Sequence, residues 1–386
     1  MTPTGTPVLL DCEDVALFRD RYDAARGAAA ALGRRVGLGE QRTSQLVLAV
    51  AELTTNLTKH AVDGFLLLRA LRNEAAAGVE VLAVDGGPGM TDVPAALRDG
   101  MSTIGTLGIG LGAVQRLADA FAVHSLPGMG TVQLARFWPR PPQPFMVTEP
   151  LVGGITRPIS GEQVCGDAWA ARVDPAGRTS HLPPAPSSGG TQRTPYGHAS
   201  PAPAARPPRS APVLASVVGP GPGVLVMSCD GLGHGPMAAT AAQAAVHAFR
   251  TEAARTPEQA MENVHRALRK TRGAAVAVAR LEPDGRLLFC GVGNITAALV
   301  TGTARTTLVS HPGIVGQQMR HLRTYEHHLP AGGILAMHSD GISGRWRHTD
   351  LASFLHHPPA LIAAALLRLA GTRRDDASAV IAKAML

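Results

Sequence analysis

Short, largely apolar runs that end in an acidic residue recur in the C-terminal half of the chain. Residues 224–229 lead directly into Asp230-Gly231, and residues 334–339 lead into Asp340-Gly341. A buried strand that ends in a carboxylate presents that carboxylate at the edge of its sheet. A single Asp-Gly pair is more simply a turn between strands, as at Asp284-Gly285. The recurrence at two strand ends favours a shared site.

Two further acidic positions belong to the same pattern. Asp167 stands in a short apolar stretch after Cys165-Gly166, and Asp375-Asp376 opens the last apolar run of the chain. Carboxylates combined with a main-chain carbonyl oxygen, which a glycine turn can present, are a ligand set for a hard cation such as Mg²⁺ or Mn²⁺. The spacing of these acids therefore predicts a cation site in the C-terminal half.

The N-terminal half shows helical periodicity. Residues 6–12 predict a first strand, and the pattern after Asp14 predicts a helix that runs to about residue 32. A second helix is predicted over about residues 40–61, with Leu46, Val50, Leu53 and Leu57 as its apolar stripe. Farther along, the patterns predict helices near 237–254 and 257–272 and strands near 274–279, 287–291, 295–300 and 306–310.

Polar and glycine residues in this half follow an ordered pattern. Glu52 and Asn56 are four residues apart on the second helix, outside its apolar stripe, so they share one face. For this pair alone, a solvated helix face is the simpler interpretation. A strand over residues 79–84 then ends in Asp85, and a glycine-rich turn at 105–112 precedes a helix. Such a turn can cradle a phosphate, although its spacing fits neither a Rossmann fingerprint nor a P-loop.

Composition narrows the class of protein. The net charge is +7, but the arginines are scattered and not interleaved with aromatic residues, so we expect no nucleic-acid binding. The four cysteines are far apart without a C-x-x-C pair, which predicts reduced thiols in a cytosol. No apolar run approaches about 20 residues, so we expect a cytoplasmic protein without a membrane segment.

Residues 139–150 predict a proline-rich linker, and residues 175–222 predict a disordered insertion.

The acidic motifs resemble those of the SpoIIE-like phosphatases, which belong to the metal-dependent type 2C (PPM) serine/threonine class. The matching motifs occur in the family's order at residues 161–167, 230–235, 291–294, 338–342 and 375–378. The resemblance covers about residues 151–386. It implies a β-sandwich flanked by helices, of the α-β-β-α kind, and two Mn²⁺ or Mg²⁺ ions. A water that bridges the ions would attack phosphoserine or phosphothreonine.

The same resemblance assigns roles to the acids. It implies that Asp167 and Asp230 bridge the two metals and that the Gly231 carbonyl adds a ligand. Asp340 and Asp375 complete the set, and Asp376 lies beside the site. The choice between Asp375 and Asp376 as the ligand stays open at this point.

The N-terminal motifs together resemble the Bergerat (GHKL) ATP-binding fold. Within that group the chain is similar to the anti-sigma-factor serine kinases of the RsbW and, more closely, the RsbT type. This resemblance covers about residues 5–138, and the short lid between Met90 and Gly105 favours the RsbT type. It implies that Asn56 coordinates Mg²⁺ on ATP, that Asp85 reads the adenine amino group and that Glu52 stands at the general-base position. The resemblance also implies that Gly87 and Gly89 shape the adenine pocket and that Gly108, Gly110 and Gly112 wrap the phosphates. Thr131 is implied to support adenine through water.

The two resemblances predict an α+β chain of two domains. The first is an N-terminal Bergerat (GHKL) α/β sandwich at 1–138. A linker at 139–150 joins it to a C-terminal type 2C phosphatase α-β-β-α sandwich at 151–386. They imply a phosphatase fused to a serine kinase-like ATP module, acting on phosphorylated STAS-domain antagonist proteins in bacterial partner switching of a sigma factor. An anti-sigma factor or sigma factor as a further partner, and a homodimer, stay open.

Three functional hypotheses follow. In the first, both domains turn over, and Glu52 favours this because nucleotide sensing alone requires no base. In the second, only the phosphatase is active, and the ATP module is a nucleotide sensor or an anti-sigma binding module. In the third, the chain is a non-enzymatic scaffold, which the complete set of acidic positions opposes.

Overall fold

The N-terminal part of the protein is built on a five-stranded antiparallel sheet of order β1-β2-β3-β5-β4. The computed structural model describes residues 7–73, 76–98, 110–139, 148–174, 222–319 and 322–385. The strands of this sheet are β1 (Asp11–Arg19), β2 (Phe65–Arg72), β3 (Ala77–Asp85), β4 (Ala120–Ser125) and β5 (Thr131–Phe137). The helices are α1 (Ala25–Arg35), α2 (Gly39–His60), α3 (Val93–Ala96) and α4 (Leu111–Leu117).

Helices α1, α2 and α4 cover one face of this sheet. The predicted stripe of α2 is buried against alternate residues of β2 and β3, and this confirms the helix predicted over residues 40–61. Alternation along β3 places Val81 and Ala83 on this helical face and Leu82 and Val84 on the opposite face. A sheet that is apolar on both faces needs a second covering layer.

The predicted start of the chain was wrong. Residues 14–19 belong to β1, which pairs with β2 through a register shift between Asp14 and Ala16, and the first helix begins only at Ala25. Asp14 does not cap a helix. Its Oδ1 lies 2.8 Å from Nε of the buried Arg69 on β2. A short apolar run fits both a helix and a strand, and here pairing with the long β2 decides for the strand.

A buried ion network joins the middle strands. Glu80 on β3 accepts hydrogen bonds from Arg69 Nη1 at 3.0 Å and from Arg136 Nε at 2.8 Å. The side chains of Arg69 and Glu80 are each 1% exposed. Because both oxygens of one carboxylate serve two guanidinium groups, removal of Glu80 would take a buried acidic partner from each of two buried arginines, although Arg69 keeps its contact with Asp14.

The C-terminal part is a sandwich of two five-stranded antiparallel sheets. One sheet has the order β13-β10-β9-β8-β7 and the other the order β12-β11-β14-β15-β6. The strands are β6 (Val152–Arg157), β7 (Asp167–Val173), β8 (Val224–Gly231), β9 (Ala274–Leu281), β10 (Arg286–Val292), β11 (Thr296–Val300), β12 (Arg305–Thr307), β13 (Tyr325–His328), β14 (Ile334–His338) and β15 (Ala377–Lys383). The helices are α5 (Pro236–Thr251), α6 (Pro257–Leu268), α7 (His348–Leu351) and α8 (Pro359–Ala370). The helices predicted near 237–254 and 257–272 and the four predicted strands are confirmed.

Apolar residues fill three layers of this part. The inner faces of the two sheets enclose one core, with Val226, Phe289 and Met337 among its members. Helices α5 and α6 cover the outer face of the sheet that contains β8, around Met227 and Phe249. The architecture is therefore α-β-β-α, as predicted, with α8 as the helical layer on the other side.

Helix α8 lies between the sandwich and the N-terminal sheet. Its apolar residues share one core with Ile155 and Ile381 of the sandwich and with Leu82 and Val84 of β3. Residues 359–367 of this helix are all buried. A helix that is apolar on every side requires burial on every side, and the second sheet provides it.

Other sequence predictions concern single features. All four cysteines are free thiols. Among the described residues, no helix combines the length and the apolar character needed to cross a membrane. Most of the predicted linker, at 140–147, and almost all of the predicted insertion, at 175–221, lie outside the described residues. The domain bounds at 138 and 151 stay a prediction.

The Glu80 network generates a stability prediction. Glu80→Ala should lower the free energy of unfolding by about 3–5 kcal/mol, because two buried arginines each lose a buried acidic partner. The control is Glu13→Ala, which removes half-exposed ion pairs to Arg35 and Arg72 and should change stability by about 0–1 kcal/mol. Urea unfolding of the full chain measures both changes, and equal losses would contradict the network's role.

Candidate metal centre and candidate nucleotide site

Two acids face each other at the end of the hairpin formed by β7 and β8. Asp167 is the direct cross-strand partner of Asp230. Among the described residues, both carboxylate oxygens of Asp167 are buried without a hydrogen bond of normal geometry. The hydroxyls of Ser339 and Ser378 lie near enough to lower its pKa, but burial outweighs them and raises it. A buried carboxylate whose charge these hydroxyls do not compensate fits a cation as its partner.

Asp340 and Asp375 extend this acidic group. Burial, followed by the negative charges of Asp167, Asp340 and Asp375, raises the pKa of Asp230 to about 8. The pKa of Asp340 is also raised, first by partial burial and then by Asp375. Four acids from β7, β8, the end of β14 and the start of β15 therefore repel one another at one edge of the sandwich.

The acids are not closed around a cation in the arrangement described. Within the described ranges, no three or more His, Cys, Asp or Glu side chains form a group that could hold a metal ion. Gly231 follows Asp230 on β8, and its N–H donates to the Gly166 carbonyl at 3.0 Å. The residue types and their common location fit Mg²⁺ or Mn²⁺, and binding would have to draw the carboxylates together.

Asp375 and Asp376 have different environments. The Asp376 carboxylate is buried and accepts the backbone N–H groups of Ile159 at 2.7 Å and Gly166 at 2.8 Å. Asp375 accepts the N–H of Asp376 at 2.9 Å and contributes its charge to Asp230 and Asp340. Asp376 thus anchors the loop before Asp167, while Asp375 belongs to the acidic group.

Several neighbours of the acids were not assigned roles from sequence. Asn294 donates from Nδ2 to Asp340 Oδ2 at 2.7 Å, and the sequence signal was its place in the 291–294 motif. Ser339 Oγ accepts the Ser378 N–H at 2.9 Å and thereby joins β14 to β15 behind Asp167. The buried His338 accepts from Trp346 Nε1 at 3.1 Å. Its pKa is lowered to about 4 by burial, so it is a neutral structural residue.

The predicted adenine residues meet at the end of β3. Asp85 lies directly opposite Thr131 on β5. Asp85 Oδ1 accepts the Gly87 N–H at 2.7 Å, while its Oδ2 accepts no hydrogen bond from the described residues and stays available to a ligand. Thr131 shares a 2.9 Å hydrogen bond with the Ser125 hydroxyl, which also accepts the Met90 N–H. The arrangement offers a carboxylate to an amino group of a bound base.

Two glycines allow the backbone to pack closely beside Asp85. A Cβ at Gly87 would collide with the His60 carbonyl oxygen and lie 2.8 Å from Asp85 Oδ1. Gly89 has a φ of +68°, and a Cβ there would collide with the Leu126 carbonyl. A larger residue at either position would displace the backbone around Asp85.

The predicted phosphate-side residues lie on α2 and before α4. Glu52 and Asn56 are half-buried, one turn apart on α2, and neither has a hydrogen-bond partner within the described part of the chain. Helix α2 packs against α4, whose N-cap is Gly110 with a φ of +74°. Gly112 lies against the Leu97 carbonyl, and Gly108 is outside the described residues. The structure thus brings Glu52, Asn56 and Gly110 to neighbouring elements.

The acidic group generates a metal-binding prediction. Mn²⁺ or Mg²⁺ at a hundred times its Kd should stabilise the full chain by about 2.7 kcal/mol. Asp230→Asn should abolish this response, and it should raise the unfolding temperature in EDTA because it removes a repulsion with Asp167. Thermal unfolding with and without cation measures both effects. Asp284→Asn, in an exposed turn, is the matched control. A variant Asp230→Asn that responds to cation like wild type would refute the assignment.

The two adjacent acids generate a second prediction. Asp376→Ala should lower the free energy of unfolding in EDTA by about 2–4 kcal/mol, because two backbone N–H groups lose their acceptor. Asp375→Ala should change that value by less than about 1 kcal/mol and should remove the stabilisation by cation. Urea unfolding in EDTA and in Mn²⁺ separates the two roles, and the reverse outcome would exchange them.

Two different protein families match the two parts of the chain. Residues 17–136 match the family described as histidine kinase-like ATPase domain, and residues 220–384 match the family described as stage II sporulation protein E (SpoIIE). The chain is 33% identical over 117 residues to the serine/threonine-protein kinase RsbT of Bacillus subtilis (strain 168), which covers 30% of this chain and 88% of RsbT.

Solved structures with a related shape include RsbX and the PP2C phosphatase domain of SpoIIE. RsbX in complex with magnesium is 16% identical with a TM-score of 0.42 and covers 59% of this chain and 92% of its own. The PP2C phosphatase domain of SpoIIE from Bacillus subtilis, with a fragment of its regulatory domain, is 14% identical with a TM-score of 0.42 and covers 79% of each chain. Scores this low carry no argument by themselves, whereas the sequence matches do. The chain belongs to the RsbT family of serine/threonine kinases through its N-terminal domain, and a SpoIIE-type type 2C protein serine/threonine phosphatase domain forms its C-terminal part.

Proposed function

We propose that the chain carries opposing activities toward one class of substrate. The C-terminal domain would remove phosphate from serine or threonine of STAS-domain antagonist proteins, and the N-terminal domain would bind ATP with Mg²⁺ and phosphorylate such proteins. A bacterial partner-switching pathway that controls a sigma factor is the setting that the RsbT relationship supports.

The observation that carries the phosphatase assignment is the buried, unpartnered carboxylate of Asp167 opposite Asp230. We assign Asp167, Asp230, the Gly231 carbonyl, Asp340 and Asp375 as the groups that would hold the cations. Two bound cations would supply a hydroxide near neutral pH and stabilise the charge that develops on the phosphate. Asn294 would orient Asp340, and Asp376 would hold the loop that positions Asp167.

The observation that supports the kinase assignment is the placement of Glu52 one turn from Asn56 on α2. Asn56 would hold the Mg²⁺ on the nucleotide, and Glu52 would orient and deprotonate the hydroxyl of a protein serine. Asp85, beside the closely packed turn at Gly87 and Gly89, would read the adenine amino group. A half-buried carboxylate that has no partner among the described residues is, at this position, the group that a kinase needs and a nucleotide sensor does not.

The test uses the chain variant Asp340→Ala, in which the phosphatase should be disabled. Transfer of the labelled γ-phosphate of ATP to candidate STAS-domain proteins should then be detectable, and it should fall by at least about 100-fold in Asp340→Ala/Glu52→Ala. The wild-type chain should remove the label from the isolated phosphoprotein when Mn²⁺ is present, whereas Asp340→Ala should not.

The alternative outcome is equally specific. ATP binding without transfer to any STAS-domain protein would leave a phosphatase whose ATP module senses nucleotide or binds an anti-sigma factor. Dephosphorylation that persists in Asp340→Ala would contradict the assigned metal ligands.

A further inference from the structure

Exposed apolar side chains are concentrated beside the acidic group of the phosphatase domain. Among the described residues of this domain, the large apolar side chains that are exposed are Val164, Leu232, Met237 and Val309. The first lies in the loop that leads to Asp167, and the next two follow Gly231 directly or at the start of α5. Single exposed apolar residues are ordinary on a protein surface, whereas a concentration of them next to one site indicates an interaction surface.

The two segments that carry these side chains are packed against each other. The Gly231 N–H donates to the Gly166 carbonyl at 3.0 Å. A Cβ at Gly166 would lie 2.8 Å from the Cβ of Ala238, so the two backbones meet there without room for a side chain. Glu162 Oε1 lies 3.4 Å from His234 Nδ1 and forms a further contact. Segments 162–166 and 231–238 thus form one unit, and we call its exposed apolar side chains the apolar rim: Val164, Leu232 and Met237.

The apolar rim borders an open cleft that reaches a predicted metal ligand. Val164 and Asp167 both line this cleft, whose volume is about 710 Å³. Ala239 and Gln243 of α5 form one wall, and residues 11–17 of β1 form the opposite wall. Successive residues of a strand point to opposite faces, so a wall made of the whole run is the edge of β1, the outermost strand of its sheet. A chain seated at Asp167 therefore has room to continue past Val164.

The distances along the chain match the reach of a substrate. Val164 is three residues from Asp167, so at most about 11 Å separates their Cα atoms. Three residues of an extended substrate span about 10 Å. A phosphorylated residue that reaches the predicted metal ligands therefore brings its own neighbours against the rim. Apolar neighbours gain free energy when they leave water there, whereas polar neighbours lose hydration.

We propose that the apolar rim binds apolar side chains that flank the phosphorylated serine or threonine of a protein substrate. This inference rests on the proposed phosphatase activity of the C-terminal domain and adds a preference among its substrates. The two segments carry Asp167 and Gly231, so a partner seated on the rim is also seated at the candidate metal centre. A phosphoprotein substrate is the partner that has to occupy both places at once.

The experiment compares two phosphoserine peptides that differ only in the two residues on each side, which are leucines in one and asparagines of similar shape in the other. With Mn²⁺, the full wild-type chain should have a kcat/KM about tenfold higher for the leucine peptide. Val164→Thr and Met237→Gln keep the size of the side chain, and each should lower this preference. The combined variant should reduce it to about twofold, while the kcat/KM for the asparagine peptide stays within about twofold.

The control is Val309→Thr, the same change at an exposed valine of the phosphatase domain outside the two segments, and it should keep the wild-type preference. Leu232 is left unchanged because it follows the predicted ligand Gly231. Two independent substitutions keep the test decisive if one of them prevents folding. Hydrolysis of p-nitrophenyl phosphate, which has no flanking residues, tests the phosphatase chemistry separately.

Each outcome has a separate meaning. A leucine preference that the rim variants lose and Val309→Thr keeps supports the inference. Wild type without this preference overturns it, and so do rim variants that retain it or that lose activity equally toward both peptides. Rim variants that dissociate a dimer in size-exclusion chromatography, with the preference unchanged, assign the rim to a second copy and also overturn it. A wild-type chain that hydrolyses not even p-nitrophenyl phosphate refutes the proposed phosphatase function, and the inference falls with it.

Discussion

The packing of α8 between two sheets is the constraint on which the arrangement of the whole chain depends. The helix has no polar face, and each of its buried leucine and isoleucine side chains contributes about 1.5–3 kcal/mol when removed from water. The sandwich covers one side of the helix and the N-terminal sheet covers the other, so neither of them covers it alone. The N-terminal sheet accordingly takes the place that solvent would have beside the outer helix of a free-standing sandwich.

The two sites are built on different physical principles. At the edge of the sandwich, strand ends bring together acids whose pKa values are raised by burial and by one another's charge, and such a group fits a bound cation. At the end of β3, Gly87 and Gly89 let the backbone approach closely beside Asp85, where a side chain would collide with the His60 and Leu126 carbonyls. Charge characterises the first site, and close backbone packing characterises the second. Both are attached to the ends of strands whose interiors are rigidly packed.

Much of this organisation could be predicted from sequence, because strand ends and helix stripes are local patterns. Helix α2, most strands of the sandwich and the position of Asp230 beside its glycine follow directly from such patterns, whereas β6 and β13 were not predicted. The placement of β1 could not be predicted, since its pairing with β2 and its contact with Arg69 are long-range. Periodicity also could not separate Asp375 from Asp376, because adjacent residues point to different surroundings that only the folded loop at Gly166 defines. Residues 359–367 of α8 are apolar on every side of the helix, which indicates burial on both sides. The sequence alone does not show which element covers the second side.

The hydrogen-bonded ladder between β7 and β8 separates the two paired acids from the segment that connects the strands. Asp167 pairs with Asp230 at one end of this ladder, and Val173 pairs with Val224 at the other, where the chain leaves for residues 175–221. Six residue steps at about 3.4 Å each put roughly 20 Å between the acids and the point of departure. Additions or deletions in that connection therefore change the entropy of closing a loop, which grows only slowly with length, and leave the spacing of the two carboxylates untouched. The length of the connection between β7 and β8 can therefore change during evolution without moving Asp167 relative to Asp230.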